Sequence, residues 1–225
     1  MDLKLNLGLE IAKRINKDCL IGIGTGSTVD YAIREIAKKS LENNFKVSAI
    51  STSISTTRFC EALGIRVLSD IVPYSIDFSF DGADAVDDRK RVIKGKGGAM
   101  LREKILASVS KNYVIIVDET KLAKNIAKKS LVPIEVNPLA IRSVEKILER
   151  NFNIKNISLR MAEKKHGEVI TEFGNVIYDV EFEKIEDDLE KEINSIPGVV
   201  ENGIFTNFAT EILVSKKNKE VVSIK

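Results

Sequence analysis

The sequence predicts an α/β protein: a mainly parallel sheet with helices on both faces, joined to a smaller α+β domain. Two observations carry this reading. Up to about Val117, short apolar runs alternate with stretches of helical spacing, as strands and crossover helices of a parallel sheet do. Pro133 and Pro138 then punctuate the chain, and the remainder reads as two helices among a few strands. A chain of 225 residues, 44% of them hydrophobic, can build one large core or two small ones.

Cys19-Leu20-Ile21 is a short strand, and Val29 to Ala37 repeats its apolar residues at helical spacing. Phe45 to Ile50 and Ile76 to Phe80 read as strands, the second by its alternation, and Arg91-Val92-Ile93 as another. Met100 to Ser108 returns to helical spacing. Beyond the prolines, Ala140 to Glu149 and Asp187 to Ser195 read as helices, and Ile154 to Arg160 and Asn175 to Glu181 as strands. Glu211 to Ser215 and Glu220 to Ile224 return as strands to the first domain. The expected division is a discontinuous Rossmann-like domain, 1–127 with 205–225, and an α+β domain, 128–204, of the ferredoxin-like kind.

Three segments carry the chemistry. The first, Gly22-Ile23-Gly24-Thr25-Gly26-Ser27-Thr28, lies between a strand and a helix. Its glycines let a ligand approach the main chain. Thr25, Ser27 and Thr28 add hydroxyls, and a helix starting there offers free N–H groups, so a phosphate is the natural guest. The dinucleotide fingerprint is excluded, because Ser27 stands where its third glycine belongs and the next strand ends in Ser51 to Thr57 rather than in an acid. The P-loop is excluded because no Gly-Lys-Ser/Thr comes after the turn.

The second segment, Asp81-Gly82-Ala83-Asp84, turns at the carboxyl end of a strand, where ligands sit in open α/β sheets. Asp81 and Asp84 flank the Gly82-Ala83 step and are expected to converge on one bound hydroxyl or to tune each other's ionisation. Asp87 and Asp88 read as solvated loop residues. The third segment places Lys94 at a strand end, gives exposed donors through Gly95-Lys96-Gly97-Gly98, and puts Glu103 in the early turns of a helix. Together the three supply a phosphate cradle, two aspartates, a lysine and a glutamate. The lone histidine, His166, is far from them, and two aspartates give a hard cation few ligands, so no metal or cofactor is expected.

The rest of the sequence narrows the setting. Thirty-five basic and 33 acidic residues give a net charge of +2, so no nucleic-acid partner is expected. Cys19 and Cys60 lack metal or redox spacing, and no secretory leader or membrane-length apolar run is evident, so a cytoplasmic setting with no membrane partner is expected.

With these segments in order, the chain resembles the type A ribose-5-phosphate isomerase family. Val117-Asp118-Glu119-Thr120-Lys121 and Ile193-Asn194-Ser195-Ile196-Pro197-Gly198-Val199-Val200-Glu201 extend the likeness over nearly the whole length. The resemblance implies that Thr25, Gly26, Ser27 and Thr28 bind substrate. It places Gly82 and Ala83, between Asp81 and Asp84, and Lys94, Gly95, Lys96 and Gly97 around the sugar. Glu103 falls on the proton acceptor, Lys121 on a substrate-binding lysine, and Lys4 on a lysine near the phosphate. It also implies a homodimer or homotetramer, a sugar-phosphate substrate and a place in the non-oxidative pentose phosphate pathway. The chain departs from the family pattern at Ala85, where glutamate is usual, at Lys96, where glycine is common, and at Thr120, where serine is common.

The implied reaction fits the residues. Moving a carbonyl from C1 to C2 of an aldose phosphate requires removal of a C2 proton and its return to C1 through an enediolate. One carboxylate can do both, with a donor such as Lys94 facing the developing oxyanion. Two relatives of the same fold remain as alternatives: sugar-phosphate sensing domains, disfavoured because Glu103 and Lys94 are intact, and coenzyme A transferases, disfavoured by the Asp81/Asp84 turn.

Overall fold

The computed structural model describes residues 3–68 and 71–225. The chain divides into two units, the first made of residues up to Ala83, Arg102–Lys121 and Asn207–Lys225, the second of Asp84–Leu101 and Leu122–Thr206.

The first unit is built on a seven-stranded sheet. Its order is Val221–Ile224, Glu211–Ser215, Tyr113–Asp118, Phe78–Asp81, Cys19–Ile23, Val47–Ser51 and Arg66–Val67. All neighbours are parallel except the terminal Val221–Ile224 strand, which pairs antiparallel with Glu211–Ser215. Residues 113–117 are buried without a break, as expected of a parallel strand covered on both faces. The alternation of side chains explains the covering. Ile21 and Ile23 join Leu7 and Ile11 of the Leu3–Arg14 helix and Val29, Ile33 and Ile36 of the Ser27–Glu42 helix in one core. Leu20 and Ile50 instead join Leu106 of the Met100–Val109 helix. The Ser27–Glu42 helix buries Val29, Ala32, Ile33, Ile36 and Ala37, the spacing of an amphipathic face. Gly8 lets the two N-terminal helices touch, since a Cβ there would lie 2.9 Å from the Tyr31 backbone.

The second unit contains a four-stranded antiparallel sheet ordered Val199–Asn202, Val132–Val136, Val176–Phe182, Ile154–Leu159. The helix Ile141–Asn151 comes after its first strand in the chain and the helix Leu189–Asn194 after its third, giving the βαββαβ, ferredoxin-like connectivity. Pro133, read from the sequence as punctuation, lies inside a fully buried central strand. It is tolerated because Gly203, which meets it on that side and donates its N–H to the Pro133 carbonyl at 2.8 Å, takes the hydrogen for its own carbonyl from Lys94 N–H at 2.9 Å and needs none from the proline. Residues 84–101, grouped with the first domain in the sequence reading, pack here. Their strands Ala85–Val86 and Val92–Ile93 form a small antiparallel sheet with Ile204–Phe205; the second agrees with the Arg91-Val92-Ile93 strand read from the sequence, and the other two are too short to show in its pattern.

Candidate active site

In the first unit, the chain turns from the Cys19–Ile23 strand toward Val47–Ser51 on one side, while Phe78–Asp81 lies on the other. This is a topological switch point, and the turns after both strands meet at its carboxyl edge. Their packing explains two of the glycines. A Cβ on Gly22 would sit 2.2 Å from the Ser79 hydroxyl, and one on Gly24 would sit 1.9 Å from the Asp81 carboxyl carbon. Gly26 has φ of 142°, a backbone that side chains rarely adopt, and its carbonyl accepts the first helical bond from Asp30 N–H at 3.0 Å. As the N-cap it brings no side chain to cover the helix's first N–H groups, so these remain suited to an anion.

Lys4 Nζ donates to the Ser27 hydroxyl at 2.9 Å. An ammonium at the positive end of a helix dipole is poorly placed by itself and well placed when an anion joins it. Asp30, one turn on, is held above the usual carboxylate range by burial, with Arg34 and Lys4 acting in the opposite direction.

Thr25 faces the sheet. Its Oγ1 donates to Ser53 Oγ at 2.8 Å and lies 2.8 Å from Thr52 Oγ1 and 3.1 Å from Thr56 Oγ1. Thr56 Oγ1 donates in turn to the Gly24 carbonyl at 3.1 Å. The Ser51–Thr57 run, which in the sequence serves only to exclude a nucleotide, is therefore the bed on which the glycine turn rests. Thr52, Ser53 and Thr56 are all buried. Their signal is a run of hydroxyl residues at a strand's carboxyl end.

Asp81 is fully buried. Its Oδ1 accepts from Thr25 N–H at 3.2 Å and from Gly82 N–H at 2.7 Å, and its Oδ2 accepts from Tyr113 Oη at 3.1 Å. Burial pushes the Tyr113 phenol well up from 10.0, and the negative charges of Asp81 and Glu103 push it further, so it stays a neutral donor. Sequence reasoning misses Tyr113 because it reads as one more apolar residue of a buried strand. Glu103, on the Met100–Val109 helix, is 4% exposed, and Arg102 beside it donates to the Ser51 carbonyl at 3.2 Å. Lys121 ends the short 3₁₀ turn after the Tyr113–Asp118 strand, and Asp118 shapes that turn by accepting from Thr120 N–H at 2.9 Å and from the Thr120 hydroxyl.

The second unit carries Asp84 and the Lys94–Gly97 loop. Asp84 N–H donates to the Ile93 carbonyl at 2.8 Å, and Lys96 N–H donates to Asp84 Oδ2 at 3.2 Å. Gly95, at φ of 93°, makes the bend and fits closely against Pro133 and Met100. Lys94 is only 2% exposed, a rare setting for lysine, with its ammonium 5.8 Å from the Phe205 ring centroid. Its backbone N–H donates to the Gly203 carbonyl at 2.9 Å, and a Cβ on Gly203 would lie 2.2 Å from the Lys94 carbonyl oxygen.

One neighbouring position departs from expectation. Asp87 is not a solvated loop residue: it is 2% exposed, accepts from the Arg89 and Arg91 N–H groups at 3.0 and 2.9 Å, and pairs with Arg91 Nε at 2.7 Å. It folds its own turn, an Asx-type role. Asp88 is exposed, as expected. Ala85 belongs to the apolar core of the second unit. Among the described residues no group of three or more His, Cys, Asp or Glu is placed to hold a metal ion.

A glycine turn opening a helix at the carboxyl edge of a parallel sheet, braced by a buried carboxylate, defines an α/β protein with an anion site at that edge. The comparisons are specific. A sequence model of the ribose 5-phosphate isomerase A (phosphoriboisomerase A) family matches residues 48–219. Ribose-5-phosphate isomerase A of Thermococcus kodakarensis is 42% identical over 216 residues, covering 95% of this chain and 93% of the relative. That of Gloeothece citriformis is 40% identical over 217 residues, covering 95% and 91%. The solved ribose 5-phosphate isomerase A of Methanocaldococcus jannaschii superposes with a TM-score of 0.93 at 39% identity, covering 100% of this chain and 98% of its own. A D-ribose-5-phosphate isomerase solved in complex with phospho-erythronic acid gives 0.95 at 36% identity, with both chains covered in full. The chain belongs to the ribose 5-phosphate isomerase A family.

Proposed function

We propose that this chain interconverts D-ribose 5-phosphate and D-ribulose 5-phosphate through an enediolate, as a step of the non-oxidative pentose phosphate pathway. The observation that carries the proposal is the pairing of a buried carboxylate, Glu103, with an intact anion cradle at Gly24 to Thr28 in a member of this family. The ligand of the solved relative, a phosphorylated four-carbon acid, is in keeping with it, because a carboxylate is flat and charged as an enediolate is.

In this reading Gly26, Ser27 and Thr28 hold the phosphate through helix N–H groups and hydroxyls, with Lys4 completing the charge. Thr25 shapes the cradle. Glu103 takes the C2 proton and returns it to C1, and the Lys94 ammonium stabilises the developing oxyanion. Asp84 exchanges protons with the sugar hydroxyls, and Lys121 contributes to substrate binding. Asp81, enclosed and holding three donors, acts by fixing Thr25 and Gly82. Gly82, Ala83, Gly95, Lys96 and Gly97 supply backbone around the sugar. The test is appearance of ribulose 5-phosphate from ribose 5-phosphate with purified protein and no added cofactor. Absence of product would sink the proposal.

We also read the working form as a homodimer or homotetramer in the cytoplasm. The exposed large apolar side chains Ile71, Tyr74 and Leu139 and the two free cysteines support this, and no helix among the described residues is long and apolar enough to cross a membrane. Sedimentation velocity decides the first point: a monomer at micromolar concentration would overturn it.

A further inference from the structure

We infer that Arg160, locked by Asp179, is a positioning residue that aims the Lys94–Gly97 loop. The inference rests on the isomerase reading above. Arg160 directly succeeds the Ile154–Leu159 strand, and its backbone is fixed on both sides: its N–H donates to the Ile177 carbonyl and its carbonyl accepts from Val169 N–H, each at 2.8 Å. Its guanidinium forks onto Asp179, with Nε to Oδ2 at 2.8 Å and Nη2 to Oδ1. The side chains are only 16% and 19% exposed, so water competes weakly for this pair. The third nitrogen, Nη1, donates to the carbonyls of Gly95 at 3.0 Å and of Lys96 at 2.9 Å. One guanidinium thus ties the four-stranded sheet to two consecutive peptides of the loop.

Peptide geometry gives this tie its consequence. In a trans peptide the N–H points opposite to the C=O. With the Gly95 and Lys96 carbonyls both drawn to Arg160, the N–H groups of Lys96 and Gly97 are turned away from it. The Lys96 N–H already donates to Asp84 Oδ2 at 3.2 Å on that side. The Lys96 N–H therefore steadies the Asp84 carboxylate, while the Gly97 N–H, facing the same way, is suited to a sugar oxygen that gains negative charge. Gly95 and Gly98, at φ of 93° and 80°, permit the bend, and the bond from Gly98 N–H to the Gly95 carbonyl at 2.9 Å closes it. That closing bond fixes the Gly95 carbonyl alone, whereas the Lys96 carbonyl is held by the guanidinium, so losing the guanidinium frees the Gly97 peptide to rotate.

The test compares Arg160→Met, Arg160→Lys and Asp179→Asn with the parent in three measurements: steady-state isomerisation of ribose 5-phosphate, competitive inhibition by inorganic phosphate, and thermal melting. Arg160→Met keeps the aliphatic stem and loses the fork. Its kcat/KM is expected to fall by ~10²-fold, the effect of displacing reacting groups by about an ångström, with most of the loss in kcat. The inhibition constant of phosphate, which reads the Gly24–Thr28 turn, stays within about twofold of the parent under the same premise. Arg160→Lys recovers part of the loss, because an ammonium keeps the charge and lacks the fork. Asp179→Asn shifts kcat in the same direction by less. Parental kcat/KM in Arg160→Met overturns the inference, as does a loss in which phosphate affinity falls in step. Loss of cooperative melting in all three variants overturns it too, since the pair would then be a folding element. An inactive parent sinks the isomerase reading and this inference with it, whereas an active parent beside an unaffected Arg160→Met sinks this inference alone.

Discussion

Tyr113 donates its phenolic O–H to Asp81 Oδ2 in a hydrogen bond of 3.1 Å, in a place where neither side chain reaches solvent. The same carboxylate occupies the space a Cβ on Gly24 would need. One acid therefore links three neighbouring strands of the sheet, Tyr113–Asp118, Phe78–Asp81 and Cys19–Ile23, at the edge where the glycine turn begins. Tyr113→Phe takes one donor away from a buried carboxylate, a loss of about 1–3 kcal/mol. Thermal melting at neutral pH should show a fall of several degrees. The pH dependence has a definite sign. The folded-state pKa is raised above the ordinary 10.0, so the phenol's contribution is fully present below about 10 and is lost as the pH rises through the folded value. The gap between parent and variant should narrow above pH ~10, and a gap that widens there would contradict the assignment.

Lys4 predicts a charge effect confined to the phosphate. Lys4→Ala removes the ammonium beside Ser27 and leaves the helix N–H groups in place. The KM for ribose 5-phosphate and the inhibition constant of inorganic phosphate should rise together, by roughly tenfold for about 1.4 kcal/mol of lost charge pairing, with kcat nearly unchanged. The effect should shrink in high salt. Inhibition by free ribose equal to that by phosphate would show that the turn does not read phosphate at all.

Arg14 and Glu211 predict an acid-side effect far from the chemistry. Arg14 grips Glu211 through two bonds of 2.7 and 2.9 Å, tying the Leu3–Arg14 helix to the sheet, and Ser223 adds a third bond at 2.6 Å. The Arg14 bond, against burial and helped by Ser223, holds the Glu211 carboxyl down at about 2 from an ordinary 4.5. A depressed pKa means stability present above pH 4.5 and lost as the pH falls through about 2. The pair is partly solvated, so its worth is on the order of 1–2 kcal/mol rather than the full shift. Glu211→Gln should lower the melting temperature at pH 7 and converge with the parent on acidification below pH 4.5. A constant difference down to pH 2 would sink the argument.

What the sequence made legible is what local chemistry dictates. The strand, glycine turn and helix at Cys19 to Glu42 are dictated by a short apolar run, three glycines and a helical stripe, and the structure has them there. The helix carrying Glu103 and both C-terminal strands are likewise local patterns. Less legible was whatever depends on distant partners. Pro133 is a turn signal in any short window, and its place in a central strand depends on Lys94, distant in sequence, supplying the hydrogen that the Gly203 carbonyl would otherwise need. Tyr113 becomes a site residue only because Asp81 ends the neighbouring strand, and Arg160 only because the loop after Ile93 folds against it. Asp87 resembles Asp88 in sequence, yet Arg91 four residues on turns it inward.

Glu103 carries the prediction on which the mechanism rests. It is buried in the first unit, near enough to Tyr113 for its charge to raise the phenol's pKa, and it sits on a helix whose Leu106 anchors in the core. A base held this way has little freedom to leave the line of the proton it moves, which suits a single carboxylate serving both C2 and C1. Glu103→Gln keeps the size and much of the hydrogen bonding and removes the basicity. Turnover should fall by at least ~10²-fold, the lower range for a positioned general base, with KM changed little. The decisive measurement is exchange of the C2 proton of ribose 5-phosphate into deuterated water, monitored by NMR. The parent should exchange it and the variant should not. Exchange at near-parental rate in the variant would remove Glu103 from the proton transfer and leave Asp84, the more open of the two turn aspartates, as the base to test next.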